Sequence, residues 1–164
     1  EVLLSLMEHH SNIVPWELLS KIVGFNVKYA DVNTDGTLNY EDFESKFSDK
    51  TKIACVGHVS NVSGVVNKVK HLAKVAHEHG ALIFVDGAQS VPHLPVDVKD
   101  LDVDFLALSG HKMLGPTGIG VLYGKKEILE KMEPIHGGGE MIKEVSWNPA
   151  TRRPRPKTWR RTED

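Results

Sequence analysis

The chain has 164 residues, of which 40% are hydrophobic and 26% charged, and its formal net charge is −2 at pH 7. These values are typical of a soluble globular domain that is long enough to bury a core. A charge this close to zero argues against nucleic acid or a membrane surface as partner, and the sequence lacks the apolar run of roughly 18 residues that a membrane-spanning helix needs. The single cysteine, Cys55, excludes an internal disulfide and favours a reducing, cytoplasmic location.

Apolar patterns predict strands that alternate with helices along most of the chain. The predicted elements, in chain order, are an apolar run at Leu3–Met7, a helix from Pro15 to Val23, a strand at Phe25–Tyr29, a turn at Asp31–Gly36, a short helix at Tyr40–Phe47, a strand at Ile53–Gly57, a helix at Asn67–His79, strands at Ala81–Val85, Val103–Leu108 and Ile119–Tyr123, and a helix at Ile128–Met132. Alternation at these lengths predicts parallel βαβ units, and therefore an α/β fold with a mainly parallel sheet flanked by helices.

The two ends of the chain carry further expectations. The first residues begin within an apolar run and lack the basic segment of a signal peptide, so we expect the chain to be part of a longer protein. Residues 148–164 are rich in arginine and lysine, contain prolines and show no apolar periodicity. This composition predicts a disordered tail that is distinct from a folded part at residues 1–147. A basic arm that follows RNA phosphates is the alternative interpretation.

Two predicted strands are followed by residues suited to one kind of cofactor chemistry. Asp86 follows Ala81–Val85, and Lys112 follows Val103–Leu108. Ligands of an open parallel sheet bind beyond the carboxyl ends of its strands, so we expect both side chains in one crevice. A lysine that forms an imine, opposite an acid that holds a ring nitrogen protonated, is what pyridoxal 5′-phosphate (PLP) chemistry requires. The alternatives are a surface lysine and a carboxylate that caps the turn at Gly87.

Other polar residues follow the same or neighbouring strands. Gln89 is placed to donate to the phenolic oxygen of such a ring, or to make a simple turn hydrogen bond. Asn61 is placed to bind a carboxylate or the ring oxygen. His9 and His10 follow the first apolar run, where an imidazole can stack on a flat cofactor; the alternatives are a polar loop or a metal pair. Adjacent histidines rarely share a metal, because their side chains diverge.

Several segments together resemble the group II cysteine desulfurase and selenocysteine lyase family. They are, in chain order, Glu8-His9-His10-Ser11-Asn12-Ile13-Val14-Pro15-Trp16, His58-Val59-Ser60-Asn61, Val85-Asp86-Gly87-Ala88-Gln89, and Ser109-Gly110-His111-Lys112 with the following Met113-Leu114-Gly115-Pro116-Thr117-Gly118-Ile119-Gly120. The likeness extends from about Glu1 to about Trp147, so residues 148–164 are expected to be a disordered tail or one that does not belong to the family. That family lies in the class V aminotransferase group of fold-type I PLP enzymes. The resemblance implies that residues 1–147 are the central part of a PLP-binding large domain.

The resemblance also implies a role for each residue of the crevice. Lys112 bears the cofactor and removes the substrate α-proton, Asp86 pairs with the pyridine nitrogen, Gln89 and Asn61 contact the side of the ring oxygen, Ser109 and His111 hold the phosphate, and His9 stacks on the ring, with His10 as the alternative register. The catalytic residues are therefore expected to be Lys112 and His9, and the cofactor PLP. No metal site is expected in this arrangement.

The family reaction converts L-cysteine to L-alanine and passes the sulfur to an enzyme thiolate as a persulfide; L-selenocysteine and other amino acids are the alternative substrates. The resemblance implies a homodimer, a sulfur-acceptor protein and a place in iron–sulfur cluster assembly. The chain contains no counterpart of the family's catalytic-cysteine loop, phosphate-binding threonine, carboxylate-binding arginine or C-terminal small domain. We therefore expect this chain alone not to turn over cysteine. Cys55 lies in an apolar strand and is expected to be a core residue.

A second motif indicates a different class of function. Residues 31–42 match a calcium-binding loop of the EF-hand or dockerin kind, with oxygen ligands at positions 1, 3 and 5, glycine at position 6 and an acid at position 12. Such a loop needs a helix running into Asp31, whereas Phe25–Tyr29 alternates like a strand. The alternative is an Asp/Asn/Gly turn between a strand and a short helix.

Overall fold

A computed structural model of the chain describes residues 1–133. Its strands are β1 (Val2–Ser5), β2 (Val27–Ala30), β3 (Ile53–Gly57), β4 (Leu82–Asp86), β5 (Phe105–Ser109) and β6 (Gly120–Gly124), and its helices are α1 (Val14–Val23), α2 (Tyr40–Ser45), α3 (Val69–Glu78) and α4 (Lys126–Leu129). Short 3-10 helices follow β1 at His10–Asn12 and β5 at Gly110–Met113.

The strands form one sheet in the order β2-β1-β3-β4-β5-β6. The pairs β1–β2, β1–β3, β3–β4 and β4–β5 are parallel, so the carboxyl ends of these five strands lie along one edge. The register places Gly57 opposite Asp86, and Asp86 opposite Ala107. This topology confirms the predicted α/β fold with a mainly parallel sheet.

Apolar side chains cover both faces of the sheet, as the continuous apolar strands indicate. One face carries the larger core, in which Leu3, Val56 and Ile83 of the strands meet Phe43 of α2 and Leu72 of α3. The other face carries a smaller cluster, and its members are Val2, Leu4 and Cys55, against which Ile13, Trp16, Phe25, Val27, Tyr29, Ile53 and Phe84 pack. Successive residues of a strand point to opposite faces, so each of the strands β1 to β4 contributes to both clusters.

The ends of several elements differ from the prediction by one to three residues. Strand β2 begins at Val27 rather than Phe25, because Gly24 ends α1 in the left-handed region at φ 83° and the chain must first return to the sheet. Helix α3 begins at Val69 rather than Asn67, because the Asn67 side chain donates to the Gly57 carbonyl at 2.7 Å. Helix α4 occupies 126–129 rather than 128–132, since its last residues form isolated turns.

The chain divides into two compact units. The first, Glu1–Tyr123, contains the strands and helices up to the start of β6 and most of β6 itself. The second, Gly124–Asp164, contains α4 within its described part. The predicted tail at residues 148–164, and the boundary predicted at residue 147, lie outside the described residues. Within residues 1–133, no helix combines the length and the apolar character of a membrane span.

Candidate active site

Four connecting segments meet at the carboxyl edge of the sheet. His9 follows β1, Asn61 follows β3, Asp86 and Gln89 lie at the end of β4, and Lys112 follows β5. These strands are neighbours and parallel, so their following loops emerge at the same edge. The parallel topology therefore brings together side chains that are up to 103 positions apart in sequence, from His9 to Lys112.

These five side chains line one cleft that opens to solvent. Its lining residues are Met7, His9, Gly57, Val59, Ser60, Asn61, Asn67, Asp86, Ala88, Gln89 and Lys112. Small-molecule clefts in proteins combine an apolar wall with a few convergent polar groups. The cleft therefore has the mixed lining of a small-molecule site.

Asp86 ends β4 with its carboxylate half-buried. Its Oδ1 accepts a hydrogen bond from the backbone N–H of Ala88 at 2.9 Å, which is the turn-capping contact that the sequence left as an alternative. A carboxylate has two oxygens, so one turn contact leaves Asp86 with further capacity to accept a hydrogen bond. Asp86 therefore both caps its own turn and presents an acceptor to a ligand.

Lys112 is carried by a turn that is closely packed on glycines. Gly110 N–H donates to the Ile119 carbonyl at 2.9 Å, and Gly115 N–H donates to the Gly110 carbonyl at 2.9 Å. A Cβ at Gly120 would lie 2.6 Å from the Leu108 carbonyl oxygen, closer than any real contact. The glycines thus let three backbone segments approach one another, and this approach fixes the start of the Lys112 side chain.

His9 and His10 occupy different places. His9 lines the cleft, and its Nδ1 lies 2.7 Å from the Ser11 hydroxyl. His10 lines an adjoining, wider depression of about 990 Å³, which His9 also borders. The placement favours His9 over His10 as the residue facing a ligand in the cleft, and the stacking role stays a prediction.

Two predicted site residues do not line the cleft. Ser109 ends β5 half-buried, and His111 is exposed on the 3-10 turn beyond it. Both are near Lys112 in sequence. Among the described residues of this turn, however, only Lys112 lines the cleft. Their phosphate-binding role stays a prediction.

The structure adds Asn67 to the cleft, a residue that the sequence indicated only as the start of a helix. Asn67 is 3% exposed. Its Nδ2 donates to the Gly57 carbonyl at 2.7 Å, and its buried Oδ1 has no hydrogen-bond partner among the described residues. A buried polar atom without a partner is costly, so this oxygen marks a place where a ligand or a water would be stabilised.

Glu8 is the second residue that the pattern did not single out by itself. Its carboxyl accepts from the Ser5 hydroxyl and, at 2.8 Å, from Asn12 Nδ2. Burial raises the pKa of the Glu8 carboxyl, and the negative charge of Asp86 adds to the rise. No periodicity distinguishes Glu8 from a surface acid, because its burial depends on how β1 and β3 meet.

Comparison with known proteins identifies the family. A model of the family described as aminotransferase class-V matches residues 1–162. The chain belongs to the class V aminotransferase family. A probable cysteine desulfurase of Halalkalibacterium halodurans is 57% identical over 142 residues, and a cysteine desulfurase of Haloferax volcanii is 53% identical over 150 residues. These matches cover 87% and 92% of this chain, and 35% of each relative.

A solved structure gives the same likeness. The crystal structure of a cysteine desulfurase from Escherichia coli superposes with a TM-score of 0.84 at 42% identity, covering 89% of this chain and 37% of that one. The chain therefore spans little more than a third of the length of the proteins that it matches. The fold of this class V chain is that of the corresponding part of a PLP-dependent enzyme.

Class V aminotransferases are PLP-dependent, and the cleft fits that cofactor by its donor set. It presents an amine in Lys112, a carboxylate in Asp86, side-chain amides in Gln89 and Asn61, and an imidazole in His9. PLP carries an aldehyde, a basic ring nitrogen, a phenolic oxygen and a flat face, and each finds a chemically suitable group in this set. The unpartnered Asn67 oxygen adds a further acceptor within the same cleft.

The calcium-loop motif of this class V chain is not arranged as a cation site. Strand β2, not a helix, leads into Asp31. The Asp42 carboxylate, at the last ligand position of the motif, accepts from Lys46 Nζ at 2.6 Å and from the Asp31 backbone N–H at 2.7 Å. The Asp42 carboxylate is therefore already paired with an ammonium group. Among the described residues, no group of three or more His, Cys, Asp or Glu side chains is suitable for a metal ion.

Calcium is accordingly expected to leave the thermal stability of the chain unchanged. A ligand present at 100 times its dissociation constant stabilises the folded state by about 2.7 kcal/mol, so a micromolar site would be evident at millimolar calcium. Thermal unfolding followed with 1 mM calcium, taken here as about 100 times such a constant, or with a chelator should give the same midpoint. A higher midpoint in calcium would restore the calcium-loop interpretation.

Replacing Glu8 with glutamine is expected to flatten the pH dependence of stability. The pKa of the Glu8 carboxyl is raised in the folded chain above its ordinary 4.5, so the native state binds the proton more tightly than the unfolded state. Its contribution to stability is thus present below pH 4.5 and lost as pH rises through the folded pKa. Urea unfolding of both proteins across this range should show that the stability of the wild type falls relative to that of Glu8→Gln as pH rises; equal slopes would contradict the assignment.

Proposed function

We propose that the protein to which this chain belongs is a PLP-dependent cysteine desulfurase. The observation that carries the proposal is the meeting of Lys112, Asp86 and His9, with Asn61 and Gln89, in one cleft at the carboxyl edge of the sheet. Relatives and a solved structure named for this activity, at 42–57% identity, support it. Because they are named for cysteine, L-cysteine rather than L-selenocysteine is the proposed substrate.

The roles proposed for the residues follow from their chemistry. Lys112 would hold the cofactor covalently through its amine, and the Asp86 carboxylate would hold a proton on the ring nitrogen. His9 would cover one face of the ring, with Asn61 and Gln89 at its oxygen, and Ser109 and His111 are proposed for the phosphate. When bound, PLP supplies an electron-withdrawing ring that stabilises negative charge at the α-carbon of an amino acid. Lys112, once free of the cofactor, would take the α-proton at Nζ.

The sulfur must pass to a thiol outside the part described here. In the proposed reaction, L-cysteine and an acceptor thiol give L-alanine and a persulfide, so one carbon–sulfur bond breaks and one sulfur–sulfur bond forms. Cys55, the one cysteine of the 164-residue chain, is fully buried in β3, and burial raises the pKa of its thiol well above the usual range. A buried neutral thiol is a poor acceptor, so a sulfur-acceptor protein or another segment is proposed to receive the sulfur.

A homodimer of the whole protein is also proposed, and the exposed apolar face of helix α1 supports it. Helix α1 exposes Leu18, Leu19, Ile22 and Val23, although its first residues cover the smaller core. Exposed apolar clusters of this kind mark surfaces that further polypeptide covers, and a second copy of the whole protein is the occupant proposed for this one. Sedimentation of the whole protein should show a dimer, and a monomer alone would contradict this part. The cytoplasmic location stays a prediction.

The experiment that tests the function separates cofactor binding from turnover. The chain is mixed with PLP, and then with L-cysteine, while absorbance and alanine are measured. Uptake of one PLP per chain, and a change of its absorbance with L-cysteine but not with L-alanine methyl ester or D-cysteine, would support the proposal. The chain alone should release no alanine. Absence of PLP uptake would overturn the cofactor site, and robust alanine release by the chain alone would overturn the expectation that this part does not turn over cysteine.

A further inference from the structure

The carboxyl of Glu8 joins three parts of the chain near the cleft. Glu8 is 7% exposed and has no role in the proposed chemistry. Its Oε1 is hydrogen-bonded to the Ser5 hydroxyl at the end of β1, and its Oε2 accepts from Asn12 Nδ2 at 2.8 Å. The carboxyl also lies against Gly57 at the end of β3, where a Cβ would stand 3.4 Å from Glu8 Oε2.

These partners place Glu8 between two groups that border the cleft. His9 is the next residue, and its backbone carbonyl accepts from Asn12 N–H at 2.8 Å, so Asn12 is bonded to both residues at once. Gly57 is the register partner of Asp86, and the N–H that follows it, of His58, donates to the Asp86 carbonyl at 3.0 Å. The carboxyl thus connects the turn of His9 with the strand ends that carry Asp86.

We propose that Glu8 is a positioning residue of this site: its buried carboxyl fixes the turn that presents His9 against the end of β3 beside Asp86. The proposal rests on the proposed function for the roles of His9 and Asp86 as cofactor-binding residues. The connection itself rests only on the contacts of Glu8, and it exists without any cofactor.

The chemistry of the contacts predicts which substitutions preserve the connection. In its acid form a carboxyl has one hydroxyl and one carbonyl oxygen, and the amide of glutamine has the same shape with one donor and one acceptor side. Desolvation, with a smaller contribution from Asp86, raises the pKa of Glu8 and so favours that acid form. The Ser5 hydroxyl can accept as well as donate, so it can accept from the glutamine NH2 group while Asn12 Nδ2 still donates to the other oxygen. Glu8→Gln is therefore expected to retain the connection, whereas Glu8→Ala leaves the buried Asn12 amide without its acceptor.

Hydrogen exchange of the chain without cofactor tests the connection directly. The backbone amides of Asn12 and Ile13 are bonded within the His9 turn, to the carbonyls of His9 and His10. Glu8→Ala is expected to speed their exchange by about tenfold or more, the effect of losing a buried hydrogen-bond partner. Glu8→Gln should stay within about threefold of the wild type. Unchanged exchange in Glu8→Ala would overturn the proposal.

PLP affinity then tests whether the turn positions a part of the site. Glu8→Ala is expected to weaken PLP binding by about tenfold or more, and Glu8→Gln to restore it. The matched control is Glu17→Ala on helix α1. It removes an exposed carboxyl that accepts a hydrogen bond from the Tyr29 hydroxyl at 2.6 Å. It should change neither measurement. If Glu8→Ala speeds exchange but leaves PLP affinity unchanged, Glu8 only stabilises the fold, and its proposed role in the site is overturned.

Two outcomes are distinguished by the design. If the wild-type chain binds no PLP, the proposed function fails and the positioning role fails with it, while the exchange rates still report the Glu8 connection. If Glu8→Ala does not fold, Ser5→Ala and Asn12→Ala each remove one partner of the carboxyl. Both should then loosen the turn and weaken PLP binding, and retention of both properties would contradict the proposal.

Discussion

Lys112→Ala is expected to abolish covalent retention of PLP by the chain. Lys112 is the lysine that lines the cleft with Asp86 and His9, and alanine has no amine to react with the aldehyde. The wild type should keep an absorbance band at the border of the visible and ultraviolet after gel filtration, and the variant should lose it entirely. The side chain lies on a short turn and contributes nothing to the core, so the folded state should persist.

The matched control is Lys70→Ala, which removes an exposed lysine of helix α3 that is paired with Asp100. Free PLP reacts weakly with surface amines, and this control measures that background. Lys70→Ala should retain the band in full. A band that survives in Lys112→Ala, or that is lost equally in both variants, would contradict the assignment of Lys112.

Gly120→Ala is expected to disrupt the turn that carries Lys112 without touching Lys112. The new Cβ would lie 2.6 Å from the backbone oxygen of Leu108, so either β6 or the end of β5 must move. Overpacking of this kind destabilises a protein by about 1–3 kcal/mol. A misplacement of about 1 Å at a reacting group costs roughly 100-fold in rate. We expect a lower unfolding midpoint in urea and PLP attachment that is slower by about that factor.

The control for this variant is Val121→Ala, at the neighbouring position of the same strand, where the side chain is exposed. It should alter stability by less than about 0.5 kcal/mol, as exposed substitutions usually do. PLP attachment in this control should match the wild type. Equal behaviour of Gly120→Ala and the wild type would show that close approach of β5 and β6 does not fix the Lys112 turn.

The general plan of the fold and the meeting of the polar residues were predictable from sequence. Strand β3 has the predicted bounds, Ile53–Gly57, because it is a short apolar run between polar residues. Parallel topology alone then implies that loops after neighbouring strands meet at one edge, which is why Asp86 and Lys112 border one cleft. The phosphate-binding roles expected of Ser109 and His111 came from the family resemblance and not from the pattern.

The polar residues beneath the cleft were not predictable. Glu8 and Asn67 are polar residues at the start of turns or helices, where an exposed position is the usual outcome. They are buried because the loops after β1 and β3 fold over each other, and no local pattern records that contact. The first residues of β2 and α3 were predicted incorrectly for a related reason, because the ends of elements depend on local backbone and side-chain contacts that the sequence pattern does not show.

Mapping the lysine that PLP modifies tests the central claim most directly. The chain is treated with one equivalent of PLP, reduced with borohydride to make the link permanent, and digested for mass spectrometry. We predict one cofactor per chain, on the peptide that contains Lys112, and no such label in Lys112→Ala. A label spread over surface lysines, or concentrated on a lysine outside the cleft, would contradict a cofactor held between Lys112 and Asp86.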